Sequence, residues 1–587
     1  MAIPNKLNRK RIIVLFIFVN LSMLLLIFRV GWIQIVKGDQ YSQLAQKQQT
    51  RDNIIPAKRG SILDRQGKVL AVSLPTHTLW ARPKEIISSG KGEELAGRLS
   101  EILALEESVL KDRLLNPDLS IVKIAQHLEK NTSDTIATEK LPGIWLVEDT
   151  RRYYPHENFA SRILGHTTDD NRGLVGIELQ YEKYLSGLPG RWIKNTDAAG
   201  RELPYGPKQY YQPTDGLNII LTIDETIQHF TEKAIDQALV NTKAKRVMGI
   251  VMNPNTGDVL AMANTSRYDP NNPRNPVDEK LKRHYVNLSS EDKQNLWNNM
   301  WRNPVISDTY EPGSTFKLIT AAAALEEGIV EPDSHFYDQG YIMVSGQKLN
   351  CWRYYNPHGD QTFAQAVQNS CNPIFVEVAQ RLGIDTYYKY IESFGFTKPT
   401  GIDLPGESSG IIQDKSKIGP VELATISYGQ GISITPLQLI TAISAVGNDG
   451  KLMEPRIVKE LVDDSGEVVE RYEPKMIRQV LSEKTSKELR LIMGSVVTEG
   501  SGKNAAVPGY TVGGKTGTAD KIIDGSYANG KVYSSFVALA PVDDPQLAVL
   551  VIVDEPEGEH FGSLTAAPAV HDILRDSFRY LDIEPKL

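Results

Sequence analysis

The chain has 587 residues, of which 41% are hydrophobic and 23% charged, an ordinary composition for a protein that buries a core. At roughly 150 residues per domain, this length predicts about three to four domains. The formal net charge of −7 and the lack of a basic block argue against a nucleic-acid partner, because phosphate binding needs clustered lysine and arginine. With only two cysteines, a scaffold built from disulfides is excluded.

The first predicted element is an apolar helix near the N-terminus. Residues 12–28 are almost wholly apolar and Arg29 can extend to the interface, so the segment 12–36 reaches the roughly 20 residues that span a bilayer. A buried core helix and a cleaved signal peptide are the alternatives. Arginine, tryptophan and glutamine stand where a cleavage site needs small residues, so we expect an uncleaved anchor.

The flanking charges predict the orientation of this anchor. Four basic residues and no acid precede it, namely Lys6, Arg9, Lys10 and Arg11. Because cytoplasmic flanks carry an excess of lysine and arginine, residues 1–11 are predicted to form a cytoplasmic tail. Everything after residue 36 then lies outside the membrane.

Residues 37–215 are predicted to form one region of mixed structure. Arg65–Lys68 is typical of a turn, and a strand is predicted from Val69. Two further segments are distinctive, Arg152-Tyr153-Tyr154-Pro155 and Gly173-Leu174-Val175-Gly176-Ile177-Glu178. Taken alone, these segments indicate turns and packing residues without chemistry.

Two predicted hairpins frame a second domain, residues 216–587. Leu217–Ile223 is a predicted strand, and Asp224 is positioned to cap the helix that follows. The hairpins pair the apolar runs 249–252 with 259–262 and 536–540 with 547–553. A further strand is predicted over Thr511–Lys515. Strands at both ends with helices between them predict an antiparallel sheet in an α+β architecture.

Ser314 and Lys317 form the first candidate catalytic pair. Pro312 and Gly313 end an extended stretch, and the residues that follow predict a helix beginning at the serine. A spacing of three places the hydroxyl and the amine one turn apart on one face. A buried amine there can lose its proton and activate the hydroxyl, and the helix N-terminus favours a nearby oxyanion. The spacing alone is weak evidence, because exposed pairs such as Ser345 and its lysine share it.

Ser370 and Asn372 form the second candidate element. Asn372 precedes Pro373, which predicts a turn or an extended conformation from which both side chains project. A hydroxyl there can pass a proton, and an amide there can hold a substrate amide. A turn without chemistry is the alternative, and this motif alone does not exclude it.

The third candidate element is Gly513-Gly514-Lys515-Thr516-Gly517-Thr518-Ala519, predicted to end a strand. Its glycines let a substrate backbone lie close, while Lys515 and the hydroxyls of Thr516 and Thr518 offer contacts to an anion. Chance predicts roughly 0.1–0.2 occurrences of the Lys-Thr-Gly triplet in a chain of this composition. Serine-x-x-lysine, serine-x-asparagine and lysine-threonine-glycine occur here in order within one domain, the combination found in penicillin-binding proteins and class A β-lactamases.

The chain resembles class B penicillin-binding proteins, the monofunctional peptidoglycan transpeptidases, over nearly its whole length. The likeness covers the anchor, the stretch from Arg59 to Ala71, Arg152–Pro155, Thr256–Met262 and the three catalytic elements. The stretch 361–404 looks most like division and sporulation members from clostridia and bacilli. The sequence after Pro568 leaves no room for the small C-terminal repeats of many sporulation members, which argues against a sporulation role, and division, elongation and spore cortex synthesis stay open. By the resemblance, residues 37–215 are a pedestal of the dimerisation type.

The resemblance also implies a reaction. Ser314 attacks the D-Ala-D-Ala carbonyl of a stem peptide with Lys317 as the base, and an amine of a second stem peptide resolves the acyl-enzyme. Ser370 relays a proton and Asn372 holds the substrate amide. Lys515 keeps the site electropositive. The remaining implied contacts to the substrate come from Thr516, Gly517 and Thr518, and the backbone N–H groups of Ser314 and Thr518 form the oxyanion hole.

The implied partners are stem peptides, β-lactams, a membrane glycan polymerase, and division or sporulation proteins. A carboxypeptidase or β-lactamase is one rival, although a membrane anchor and a large pedestal fit wall synthesis better than a secreted hydrolase. A β-lactam receptor is the other, although only about eleven residues precede the span for inward signalling. No cofactor is expected for the chemistry itself.

A metal site is predicted beside the second candidate element. The two cysteines, Cys351 and Cys371, flank His358, and thiolate and imidazole are ligands that zinc prefers. Asp308, just before the catalytic serine, is the predicted fourth ligand. A disulfide and two unpaired thiols are the alternatives that the residues leave open. Some clostridial relatives resembling this segment bind zinc here, and this resemblance favours a structural zinc.

Overall fold

The computed structural model describes residues 6–195, 209–523 and 525–586. The chain divides into two compact units, residues 1–58 with 187–215, and residues 59–186 with 216–587. The predicted boundaries at residues 37 and 216 stay predictions. The compact units differ from the predicted domains because most of the predicted pedestal shares a sheet and a hydrophobic core with the C-terminal residues.

The first unit begins with the predicted apolar helix. It spans Lys6–Ile35, buries none of its side chains, and is long and apolar enough to cross a membrane, with a mean hydropathy of 2.6 in its most apolar stretch. Helix Gly38–Gln49 follows. A three-stranded antiparallel sheet completes the unit, with Gly190–Asn195 between Thr50–Ile55 and Gln209–Tyr211.

The second unit contains a seven-stranded sheet that both of its chain segments build. Its order is Val468–Arg471, Val458–Val462, Asn218–Leu221, Ile62–Leu63 and Val69–Ala81, and the last strand also pairs with Val122–Leu128 and Ile144–Tyr153. The predicted strand from Val69 is confirmed. A small hairpin pairs His166–Thr167 with Gly173–Val175. The helices of residues 59–186 are Pro83–Ser89, Gly92–Leu103, Glu107–Leu114, Lys130–Glu139, Ser161–Leu164, Gly176–Gln180 and Glu182–Leu185.

A buried ion cluster joins the distinctive segments of this region. The wholly buried Glu178 accepts hydrogen bonds from Arg59 Nε at 2.7 Å and Arg152 Nε at 2.6 Å, and Tyr154 donates to it at 3.2 Å. Burial alone would raise the pKa of Glu178, but the charges of Arg152 and Arg59 outweigh it and lower that pKa. The stabilisation is therefore present at neutral pH and is lost as the pH falls through the lowered pKa.

The central sheet of the C-terminal segment has five antiparallel strands. Its order is Val259–Asn264, Arg246–Met252, Leu547–Asp554, Ser526–Ala540 and Gly513–Ile523. Both predicted hairpins and the α+β architecture are confirmed. The predicted strand 511–515 is longer than expected, because it pairs with the long strand beside it as far as Ile523, so the glycine-rich motif lies within the strand and does not end it.

Both faces of this sheet are covered. In strand Leu547–Asp554, Leu550 joins the core that contains helix Pro436–Gly447, and its neighbour Val551 joins the core that contains helix Ala567–Tyr580. The other helices are Glu225–Thr242, Glu279–Tyr285, Ser290–Trp301, Pro304–Ser307, Lys317–Glu326, Phe363–Gln368, Asn372–Ser393, Pro420–Ile426, Glu483–Thr498 and Gly562–Thr565.

Short elements complete the C-terminal segment. The predicted cap is confirmed, because Asp224 accepts from the N–H groups of Thr226 and Ile227. Three two-stranded antiparallel sheets pair His335–Asp338 with Gly359–Thr362, Tyr341–Val344 with Gln347–Asn350, and Lys451–Met453 with Met476–Gln479. Single 3-10 turns span Gly313–Thr315, Lys415–Lys417 and Lys503–Ala505.

We expect Glu178→Ala to lower the free energy of unfolding by about 3–5 kcal/mol, because Arg59 and Arg152 would stay buried without their counter-charge. Glu148→Ala, at an exposed position on strand Ile144–Tyr153, is the control and should change it by less than about 0.5 kcal/mol. Chemical unfolding followed by tryptophan fluorescence measures both. Equal losses would contradict a stabilising role for the ion cluster.

Candidate active site

Ser314 lies in a tight turn and not in the first turn of a regular helix. The 3-10 turn Gly313–Thr315 presents it, and the α-helix begins three residues later and spans Lys317–Glu326. The predicted helix start was therefore too early. The turn is fixed from behind, since the buried Thr315 hydroxyl donates to the Pro312 carbonyl at 2.8 Å.

Glycines let three backbone segments meet at this turn. A Cβ on Gly517 would lie 2.9 Å from the Pro312 oxygen, and one on Gly313 would lie 2.6 Å from the Thr518 oxygen. A Cβ on Gly429 would lie 2.0 Å from the Gly313 oxygen. Such distances are too short for any side chain, so the catalytic strand packs directly against the serine turn.

Two lysines converge on the hydroxyl of Ser370. Lys317 Nζ donates to Ser370 Oγ at 3.2 Å, to the Ser370 carbonyl at 2.7 Å and to Asn372 Oδ1 at 2.6 Å. Lys515 Nζ donates to Ser370 Oγ at 3.0 Å. The structure therefore brings all three candidate elements together through one hydrogen-bonded network.

Both amines are wholly buried, and no carboxylate among the described residues forms an ion pair with either. Burial lowers the pKa of Lys317 to about 7. Burial, and then repulsion from Lys317, holds the pKa of Lys515 well below its usual range. Lys317 is thus suited to accept a proton at neutral pH.

The loop carrying Ser370 and Asn372 differs in part from its prediction. Ser370 has a φ of +55°, in the left-handed region. Asn372 is the first residue of helix Asn372–Ser393, with Pro373 in the first turn and Cys371 at the N-cap, where a turn or extended residue was predicted. Proline suits the first turn because the N–H it lacks would be unpaired there.

The catalytic strand presents the remaining predicted residues. Lys515 and Gly517 are buried, while Thr516 and Thr518 are half-buried. The Thr516 hydroxyl lies 3.3 Å from Ser501 Oγ. These side chains line the strand beside the serine turn.

A second cluster adjoins the network through Cys371. The ligand atoms of Asp338, Cys351, His358 and Cys371 all lie within 4.8 Å of one another. His358 Nδ1 is 2.7 Å from Asp338 Oδ2 and 3.5 Å from Cys351 Sγ. Both cysteines carry free thiols in the structure.

Asp308 does not join this cluster, so its predicted role was wrong. It pairs with Arg246 at 3.1 Å and with Arg302 at 2.6 Å. Asp338, at the end of strand His335–Asp338, supplies the fourth side chain of the cluster, and its Oδ2 accepts from the His358 N–H at 3.3 Å. No spacing signal in the sequence distinguishes Asp338 from other nearby acids.

Two further residues beside the network were not predicted. Glu311 is buried, and it accepts from the Gly431 N–H at 2.8 Å and the Tyr527 hydroxyl at 3.2 Å, which ties the segment before the serine turn to a loop and to strand Ser526–Ala540. Trp352 Nε1 donates to the Asn369 carbonyl at 3.0 Å. The only signal for these two residues was their closeness to the motifs along the sequence. That signal is weak for Trp352, which lies seventeen residues before Asn369.

Comparison with known proteins agrees with this geometry. The penicillin binding protein transpeptidase domain matches residues 247–575, and the penicillin-binding protein dimerisation domain matches residues 54–221. The chain belongs to the class B penicillin-binding proteins. Stage V sporulation protein D of Bacillus subtilis is 39% identical over 100% of this chain and 88% of its own. Peptidoglycan D,D-transpeptidase FtsI of Escherichia coli is 31% identical over 96% of this chain and 91% of its own.

Solved structures show the same fold. Penicillin binding protein 3 from Mycobacterium tuberculosis, complexed with aztreonam, is 26% identical with a TM-score of 0.68, covering 91% of this chain and 98% of that one. The protein is therefore a serine-type transpeptidase.

We expect the rate constant for acylation by a fluorescent penicillin to rise as the pH increases and to level off above about 7, because Lys317 must lose its proton to act as a base. Stopped-flow or gel-based labelling between pH 5.5 and 9, roughly two pH units to either side of this pKa, measures it. Lys317→Arg should abolish labelling throughout. Lys348→Arg on the exposed hairpin is the control, and a pH-independent wild-type rate would contradict the assignment.

Proposed function

We propose that this penicillin-binding protein cross-links peptidoglycan stem peptides through an acyl-enzyme on Ser314. The Ser314 oxygen attacks the carbonyl between the two terminal D-Ala residues, and the terminal D-Ala leaves. The amine of a second stem peptide then attacks the ester, forming the cross-link and freeing Ser314. The observation that supports this proposal best is the network of Lys317, Ser370, Asn372 and Lys515 beside the serine turn.

The network suggests a path for the proton. Lys317, with its pKa near 7, accepts the Ser314 proton during attack. Ser370 Oγ contacts both amines and passes a proton toward the leaving group. Because Lys515 lies on the substrate-binding strand, its amine raises the local potential for the substrate carboxylate when protonated.

Strand Gly513–Ile523 carries most of the residues that we propose contact the substrate. The Thr516 and Thr518 hydroxyls, on this strand, are the proposed contacts to the terminal carboxylate, and Gly517 is the proposed position at which the peptide backbone lies close. The N–H groups of Ser314 and Thr518 are the proposed oxyanion hole, in which one donor is worth about 2.7–4 kcal/mol. Asn372 holds a substrate amide. A β-lactam, which copies the D-Ala-D-Ala backbone, would acylate Ser314 in the same way.

We expect Ser314→Ala to abolish both penicillin labelling and formation of cross-linked dimers from two stem peptides, since no acyl-enzyme can form. Ser345→Ala, the exposed serine with the same spacing to lysine, should keep both. Mass spectrometry of labelled peptides and of reaction products measures them. Labelling on another serine would contradict the nucleophile, and hydrolysis of the donor without any cross-link would instead indicate a carboxypeptidase or β-lactamase.

We also propose a structural zinc held by Asp338, Cys351, His358 and Cys371. The donor set fits, because thiolates and imidazole are preferred zinc ligands and four ligands make a closed site. Hydrogen bonds from Cys371 and His358 lower the pKa of Cys351, which favours the thiolate form that binds metal. Zinc here would neutralise the buried thiolate charge and hold Cys371 in place between Ser370 and Asn372.

We expect the full-length protein, purified without chelators, to contain about one equivalent of zinc. Asp338→Asn should lower this zinc content. Asp308→Asn should not, because Asp308 lies outside the cluster. Elemental analysis measures the metal. Less than about a tenth of an equivalent in the wild type, with a Cys351–Cys371 disulfide found by mass spectrometry, would contradict the proposal.

The proposed location follows from the helix Lys6–Ile35. Basic residues at its start support a cytoplasmic N-terminus and an extracytoplasmic catalytic domain. Similarity to a stage V sporulation protein and to FtsI proteins supports a role in sporulation or division. A membrane glycan polymerase and proteins of the division or sporulation machinery are the proposed partners.

A further inference from the structure

A large cavity lies at the end of the central sheet away from the network. Its volume is about 930 Å³. The sheet contributes Arg246, Lys521 and Asp554, and the helical segment 276–302 forms the opposite wall. Lys521 is six residues beyond Lys515 on the catalytic strand, which corresponds to roughly 20 Å at about 3.3 Å per residue. The cavity is therefore separate from the proposed catalytic centre.

Positive charge dominates the wall of this cavity. Six cationic side chains line it, namely Arg162, Lys245, Arg246, Arg267, Arg302 and Lys521, against the acids Asp278, Asp308 and Asp554. The further carboxylates that pair with these cations, Glu232, Asp236 and Glu555, are not among the lining residues. The lining therefore has six cations against three acids, of which Asp308 pairs with Arg302, and Asp554 pairs with Arg246 and Lys521.

Arg162 is the cation that the protein itself leaves without a counter-charge. It donates to the carbonyls of Arg302 and Ser266, and it forms no ion pair with a carboxylate in the part of the chain that the structure describes. Its Nε–H is buried and has no partner. Burial lowers the pKa of its guanidinium to about 10. A buried charge without a partner is unfavourable unless a ligand supplies one.

We propose that this cavity binds a small ligand carrying two or more oxyanion groups, which Arg162 and Arg302 clamp from the wall opposite the sheet. Guanidinium groups are suited to this role because they hold phosphate or carboxylate oxygens in a bidentate fashion. Phosphate esters and multiple carboxylates share this chemistry, and cell-wall constituents contain both. The cavity volume accommodates a ligand of metabolite size.

The test is calorimetric titration of the full-length protein in detergent at low ionic strength, with pyrophosphate and citrate as probes. We expect at least one probe to bind, and Arg162→Gln to weaken that binding by about tenfold or more. Arg98→Gln, an exposed arginine on helix Gly92–Leu103, is the control and should leave it unchanged. Added sodium chloride should weaken binding to the wild type.

Penicillin labelling of Ser314 shows that each variant is folded, and it reports on the catalytic centre independently of the cavity. If penicillin does not label Arg162→Gln, probe binding is measured with Arg302→Gln instead, and that variant should show the weakened binding. Binding of pyrophosphate alone would assign the ligand to phosphate chemistry, and tighter binding of citrate would assign it to carboxylates. Binding of neither probe, or equal binding in Arg162→Gln and Arg98→Gln, would overturn the proposal.

Discussion

The candidate active site depends on placing two lysine amines, Lys317 and Lys515, in contact with one hydroxyl, and in the described part of the chain no carboxylate pairs with either amine. Two ammonium groups cannot both stay charged in a buried site of this kind, because burial and mutual repulsion both favour the neutral amine. The surrounding protein stabilises the arrangement with dipoles and not with charges. The carbonyl and hydroxyl of Ser370 and the amide oxygen of Asn372 accept hydrogen bonds from these amines.

This arrangement requires a helix and a strand to approach at backbone distance, which explains the glycines around the catalytic serine. Lys317 comes from the helix and Lys515 from the strand, so the serine turn must fit between them. Gly313 and Gly517 remove the side chains that would separate the two elements. Buried neighbours such as Thr315 then keep the turn from relaxing, so the proposed nucleophile is positioned before any substrate arrives.

Most of the fold could be predicted from the sequence, because hairpins, caps and apolar helices leave local patterns such as the Asp224 cap. The three candidate motifs could be recognised for the same reason, since each is a short run with a characteristic spacing, and the structure brings them together. The errors arose where distant segments meet. Asp338 reaches the cysteines through a strand pairing that spacing does not reveal, and Asp308 is held instead by Arg246, sixty-two residues earlier. The length of strand Gly513–Ile523 likewise depends on its partner strand.

The left-handed backbone conformation of Ser370 needs support from its surroundings, and the cysteine cluster lies directly beside it. A non-glycine residue at positive φ is strained by roughly 1–3 kcal/mol and persists only when its surroundings fix it. On one side, both lysines bind the Ser370 hydroxyl. On the other side, the Cys371 thiol lies within 4.8 Å of the ligand atoms of Cys351, His358 and Asp338. A ligand that joined these four side chains would hold Ser370 in its strained conformation, so the metal would act on catalysis by fixing the position of one hydroxyl.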